Sequence, residues 1–239
     1  RRARVPVVVA GLLPGAPGPL PAGVAARVDA PLALMHRIAA DALVAATRGR
    51  MHALLVTAND VPSSAALVDA VQDELARVCG PGCATTVVSV PLAEWSARVP
   101  AAVQAALAAD PNISVVHPLY DSVTPFAIQG IRRAGALGRV RIATAGGSGF
   151  VLDLVRQKAW GGVVALDVGT SPDWQGWATV DAVLRILSGQ AAPASPLLPK
   201  RLFDAANARA AGVPASQAAG FGDGYRSAYR RLWGAGGAG

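Results

Sequence analysis

Charge is scarce in this chain of 239 residues. Only 15% are Asp, Glu, Lys or Arg while 52% are hydrophobic, a balance that excludes a disordered polymer and supplies ample material for cores. Long apolar runs are missing too. Pro, Gly or a charge interrupts each one well before the roughly 18 residues that a membrane-crossing helix needs. Arg1-Arg-Ala-Arg-Val-Pro lacks the apolar core and small-residue cleavage site of a secretory signal, and a strand begins at Val5, so further residues are expected upstream. The three histidines, His36, His52 and His117, share no ligand spacing with one another or with the cysteines, which argues against zinc. No acid–base pair or nucleophile triad stands out, so the chain is not expected to be an enzyme or to need a cofactor. Gly146-Gly-Ser-Gly lacks both the full dinucleotide fingerprint and the P-loop lysine, and Phe150 stands where a nucleophile elbow on Ser148 requires glycine.

The formal charge is +7, yet the arginines are scattered except for small clusters at the two ends. With no basic helix and no aromatic–basic interleaving, nucleic acid is not an expected partner. The two cysteines stand in Cys79-Gly-Pro-Gly-Cys83. Gly-Pro-Gly lets the chain fold back, which suits a small disulfide loop and an oxidising compartment; two separate thiols, or a weak redox pair, are the alternatives.

What is present is a series of short apolar runs, each leading through small residues into a helical pattern. Val5–Ala10 is a strand, and residues 11–23, rich in Pro and Gly, read as a loop. Asp29 is a candidate N-cap for a helix carrying Leu32, Met35, Ile38 and Leu43 inward and ending near Gly49. Met51–Ala58 is a strand whose exit loop holds Asn59 and Asp60, and Ser63 or Ser64 can cap the helix that follows. A strand from Thr85 precedes a helix over 94–109, broken or kinked near Pro100. Strands then begin at Ile113, Val140 and Gly162, and the loops at Tyr120, Gly146 and Asp167 open onto helices. Lys200–Asp204 is a short late strand, 221–233 a terminal helix, and the closing glycine-rich stretch a tail. A parallel sheet built this way opens its crevice beyond the strands' carboxyl ends, so function is sought in those loops.

The order of elements resembles the type I periplasmic binding protein superfamily, especially the sugar-binding proteins of ABC importers. Arg4-Val-Pro-Val-Val-Val is similar to its "IPVV" strand, Arg27-Val-Asp-Ala to "V-x-x-D-N", and Asp110-Pro-Asn-Ile-Ser-Val-Val to "HPDIKAV". The following "N-D-x-M-A-x-G" loop corresponds to Tyr120, Asp121, Ser122 and Val123 through Gly130, and Trp174-Gln-Gly-Trp resembles a helix opening of the family. The resemblance implies an α/β fold of two αβα Rossmann-like lobes with parallel sheets, the first lobe incomplete at its N-terminus. Residues 29–167 would form lobe two; 1–28 and 168–199 would be parts of lobe one; 200–239 would hold a crossover strand, a helix and a flexible tail. It also implies a small-molecule ligand, sugar-like or less polar, held between hinged lobes by a monomer. The protein would be periplasmic or extracellular, with or without a lipid anchor, and would dock on an ABC permease. A ligand-binding domain of a regulator resembling the lactose-repressor group is the alternative.

Departures from the family pattern shape the expected site. Gly11 and Leu12 stand in place of an Asp-Arg pair, the loop after the Met51 strand carries no arginine, Tyr120 replaces an asparagine, and a glycine near Gly146 replaces an aspartate. Each buried polar group left unpaired costs about 1–3 kcal/mol, so losing that set argues against a ribose-like solute. The expected ligand-binding residues are Leu12, Asn59, Asp60, Tyr120, Asp121, Gly146, Gly147, Asp167 and Trp174, with Cys79 and Cys83 as the disulfide and no metal.

Overall fold

The computed structural model describes residues 5–13, 18–193 and 198–234, and of Leu12 and Leu13 the backbone alone. Leu12's side chain and the glycine-rich end beyond Gly234 lie outside the described residues. Two sheets organise the chain. The larger has six strands in the order β4(Cys83–Ser89), β3(Met51–Thr57), β5(Ile113–Pro118), β6(Arg141–Gly146), β7(Val164–Thr170), β8(Lys200–Asp204), all parallel except β8 at its edge. The smaller pairs β1(Val7–Leu13) with β2(Val24–Pro31) in parallel.

Period-two alternation decides which side chains face which layer. In β3, Leu54 and Val56 join one core while Ala53 and Leu55 join the other. The first core takes Val99, Val103 and Leu107 of α3(Trp95–Ala109), Ala127, Ile128 and Ile131 of α4(Thr124–Arg133), and Val151 and Val155 of α5(Gly149–Gln157). The second takes Met35, Ala39 and Leu43 of α1(Leu32–Thr47) and Leu67, Val71 and Leu75 of α2(Ser64–Val78). The result is helices on both faces of a nearly continuous apolar sheet, as parallel strands require. After α5, a turn labelled α6(Ala159–Gly162) leads into β7.

The small sheet packs separately. Ala26, Val28 and Ala30 of β2 bury against Ala178 and Ala182 of α7(Pro172–Leu187). The chain passes from the small sheet to the large one between β2 and α1, back between β7 and α7, and again between α7 and β8. The terminal helix α8(Gly224–Leu232) lies on α7, where Trp174 stacks on Tyr225 and Trp177 on Trp233. Among the described residues no helix is long and apolar enough to cross a membrane.

Three local expectations are corrected. Asp29 is no helix cap: it lies in β2, buried and 3.6 Å from Arg27, and α1 starts only after Pro31. The cause is Pro31, which disfavours helical backbone at Ala30 and so keeps the strand extended up to the proline. Helix α3 runs unbroken through Pro100, since burial of the flanking Val99 and Val103 outweighs one lost backbone bond. Neither Ser63 nor Ser64 makes a side-chain cap bond at α2, because both hydroxyls are engaged elsewhere.

Candidate functional site

Strand order locates the crevice. From β3 the chain moves outward through α2 to β4, then returns across α3 to β5 on the other side of β3. Helices α2 and α3 therefore leave on opposite faces, and the loops leaving β3 and β5 separate at their carboxyl ends. Asn59 and Asp60 follow β3, and Tyr120 follows β5.

Across this switch point the Tyr120 hydroxyl lies 3.0 Å from both the Ser63 and the Ser64 hydroxyls. Its ring stacks on the buried Trp95, centroids 5.8 Å apart, and Trp95 is pinned by its indole N–H donating to the Val90 carbonyl. Tyr120 is half-buried and thus presents a fixed aromatic surface whose hydroxyl is already engaged. Asn59 and Asp60 are exposed, and both carboxylate oxygens of Asp60 accept the Leu92 backbone N–H at 3.0 and 3.1 Å. That bond ties the β3 exit loop to the loop beyond β4.

The adjoining half of the edge is built on two buried carboxylates. Asp121 accepts from the Ser148 N–H at 2.7 Å and the Thr144 hydroxyl at 3.1 Å. Asp167, with no exposed surface, accepts from the Gly147 N–H at 3.1 Å. Burial raises the Asp121 carboxyl above the ordinary carboxylate range, opposed by its Ser148 and Thr144 donors. Burial also raises Asp167, well above that range, and the neighbouring Asp121 charge adds to the rise. The glycines here answer to close approach. A Cβ on Gly146 would lie 2.4 Å from the Asp121 carboxylate, and one on Gly147 would lie 2.7 Å from the Gly169 Cα.

The structure thus brings Asn59, Asp60, Tyr120, Asp121, Gly146, Gly147 and Asp167 to one edge. Asp121 and Asp167 are enclosed there and hold the Gly146–Ser148 loop; neither presents a carboxylate to a solute in this conformation. Trp174 stands apart, stacked at 4.5 Å on Tyr225 between α7 and α8. A surface hollow there is lined by Pro172, Asp173, Gly176, Trp177, Val180 and Trp233, none of them in the crevice loops. Leu12 pairs with Ala30 at the carboxyl end of the small sheet. The Cys79 and Cys83 sulfurs are bonded, with the Cα atoms 5.7 Å apart.

Several contributors carried no signal in the sequence. Ser63, Ser64 and Trp95 matter only because Tyr120 reaches them across about 25 to 57 positions of chain. Gln217 donates to the Gly146 carbonyl at 2.8 Å from far downstream. Gln175 joins the small sheet's carboxyl end to α7 by donating to the Gly11 and Val28 carbonyls, both at 3.0 Å. His117 does not open on the crevice. It is buried, with Nδ1 2.6 Å from the Ala143 carbonyl and Nε2 2.9 Å from His36 Nδ1. The carbonyl requires His117 to donate from Nδ1, so Nε2 accepts from His36. Among the described residues no group of three or more His, Cys, Asp or Glu is arranged to hold a metal.

No family model and no curated protein matches the chain in sequence. Solved structures do match in shape. A sugar ABC transporter sugar-binding protein from Bacillus halodurans superposes with a TM-score of 0.71 at 12% identity, over 85% of this chain and 70% of that one. A glucose-galactose binding protein from Geobacillus stearothermophilus gives 0.69 at 14%, over 84% and 68%. An ABC transporter solute binding protein from Agrobacterium vitis with bound D-fucose gives 0.66 at 16%, over 85% and 68%. The superposition takes in about two thirds of each of these longer chains. At such identities shape alone is shared, and it is specific: this chain has the type I periplasmic binding protein fold.

Proposed function

We propose that this protein is the extracytoplasmic solute-binding subunit of an ABC importer, which captures a small organic solute between two hinged lobes and delivers it to a membrane permease. Residues 32–170 with β8 form the second lobe, and β1, β2, α7 and α8 belong to the first, so the lobe boundaries fall after Pro31 and Thr170 and not at 28/29 and 167/168. The observation that carries the reading is the meeting of two carboxyl edges. Strand β1 ends at Leu13 in register with Pro31, the residue before α1, and only Ser171 separates the end of β7 from α7, which packs on β1 and β2. Chain passes at one gap between two rigid sheets are the geometry of hinge closure.

Leu12, Asn59, Asp60, Tyr120 and the Gly146–Gly147 backbone are the proposed contacts. Asp121 and Asp167 act by holding that backbone in place, and Trp174 supports the lobe-one helix. The protein binds without catalysing. The Cys79–Cys83 bond suits an oxidising compartment and so favours an exported protein over a cytoplasmic regulator. Thermal-shift measurement over neutral sugars, polyols and small aromatic and acidic solutes tests the reading, because a ligand that prefers the folded state raises the melting temperature. A rise with at least one neutral sugar or polyol is expected; stabilisation by charged nucleotides alone would refute it.

A further inference from the structure

We infer that the amino end of the large sheet, opposite the crevice loops, is a docking surface for an anionic lipid bilayer. The inference stands apart from the solute-binding reading, and neither needs the other. Arginines dispersed along the sequence are gathered there by the fold. Each parallel strand is entered from the C-terminus of a helix, so α1, α3, α4 and α5 end at the amino ends of β3, β5, β6 and β7. Arg48 and Arg50 stand between α1 and β3, and Arg132 and Arg133 close α4. Arg139 and Arg141 flank the entry to β6, and Lys158 follows α5. All seven side chains are exposed, and among the described residues none of them forms an ion pair.

The opposing charge is small. Asp110 is bonded to His52 at 2.8 Å, Asp153 is paired with Arg156, and Asp204 on the β8 side is matched in charge by the exposed Arg209. The exposed Asp69 and Asp73 belong to α2, which packs on β3 and β4, away from β6 and β7. Four helix C-termini bring about half a negative charge each. Set against the seven cations, these ends and Asp110 leave about four positive charges uncompensated. Strands lie about 4.8 Å apart, so the entries of four neighbouring strands spread that surplus over roughly 15 Å, wider than a single small anion.

Two features fit the surplus to a bilayer. The guanidiniums are held in place without being neutralised: Arg139 donates to the Pro111 and Ile113 carbonyls, both at 2.8 Å, and Arg141 to the Gly161 and Gly162 carbonyls at 3.2 and 3.3 Å. A guanidinium has further N–H donors, which stay available to phosphate oxygens. The same edge also carries hydrocarbon, with Trp160 49% and Leu137 40% exposed. The Arg132 guanidinium lies 4.1 Å from the centre of the Trp160 ring. A nucleobase would find that stacking face already taken, whereas an indole beside arginines suits the headgroup layer.

The test is flotation of the whole protein with vesicles of phosphatidylcholine alone, or with about one third phosphatidylglycerol, from about 50 to about 300 mM salt. Binding is expected only with phosphatidylglycerol and should weaken about tenfold or more across that salt range. The double variant Arg50→Glu, Arg133→Glu should bind about tenfold or more weakly while keeping the wild-type urea-unfolding midpoint. Should it fail to fold, Arg133→Gln alone should weaken binding about fivefold. Equal binding to both vesicle types, no binding to phosphatidylglycerol at the lowest salt, or undiminished binding by a folded variant overturns the inference. Tighter binding to a DNA duplex or to polyglutamate than to the anionic vesicles does so too, by assigning the surface to another polyanion. None of these results bears on the thermal-shift measurement, which tests the crevice alone.

Discussion

Tyr120 shows how one side chain can join two loops that share no sequence signal. Its ring is held by Trp95 and its hydroxyl by Ser63 and Ser64, so the β3 and β5 exits are tied to each other. At the same edge Asp167 has a testable signature. Its folded-state pKa lies well above the unfolded carboxylate value of about 3.9, chiefly through burial, so the folded protein binds this proton more tightly than the unfolded chain does. The stability that Asp167 contributes is therefore present below about pH 4 and is lost as pH rises through the folded-state value. Asp167→Asn cannot ionise and keeps a carbonyl for the Gly147 N–H. Urea unfolding of both proteins from pH 4 to pH 8 should show the wild type losing stability relative to the variant as pH rises. A parallel pair of curves would mean that the carboxyl is not perturbed. The buried histidines carry the opposite sign, since burial lowers His117 to about 4 and lowers His36 well below its ordinary value.

Between elements, α3 and α4 of the first core approach closely at Gly130. A Cβ there would lie 2.6 Å from the Val103 Cβ and 2.7 Å from the Pro100 carbonyl oxygen, neither of which is a flexible side-chain end. Gly130→Ala should destabilise the protein by about 1–3 kcal/mol through separation of the two helices, measured by urea unfolding with near-ultraviolet circular dichroism. An unchanged midpoint would show that the helices part freely.

Helix α7 shows what the pattern of a single element could and could not reveal. Pro172 in its first turn and Ser171 accepting from the Trp174 N–H are a helix start readable by eye. By spacing alone its aromatic residues fit core or crevice equally, and stacking against α8 assigns them to the packing. Strand β2 is weakly marked in the sequence for a related reason. Its residues 24–31 are only partly β-branched, and Asp29 before Ala-Pro imitates a helix cap; Pro31 keeps the backbone before it extended, and packing on α7 then buries the strand.

For the molecule as a whole, the proposed function treats the six-stranded sheet with its helices and the small sheet with α7 as two units that move against each other. Small-angle scattering should show the radius of gyration falling when the most stabilising solute of the thermal-shift measurement is added, as expected for hinge closure. A melting-temperature rise with an unchanged radius would indicate binding to a lobe already closed, or to one lobe alone. The β2–α1 and β7–α7 passages should gain hydrogen-exchange protection in the same titration.

Periodicity and loop chemistry determine much of this protein from the sequence alone. They suffice for the number and type of most strands and helices, the alternation that builds a parallel sheet, and the loops at Asn59, Tyr120 and Gly146, whereas Asp167, expected in a loop, lies within strand β7 between Thr144 and Phe203. Those elements and loops are local properties, written in spacings of two to about four residues. Tertiary structure alone decides that Tyr120 belongs to Ser63 and Ser64, that Asp121 and Asp167 face inward to hold a loop, and that Trp174 turns to Tyr225. The reason is physical: whether a carboxylate or ring faces solvent or core depends on burial and on partners tens of residues away, and no local spacing encodes either.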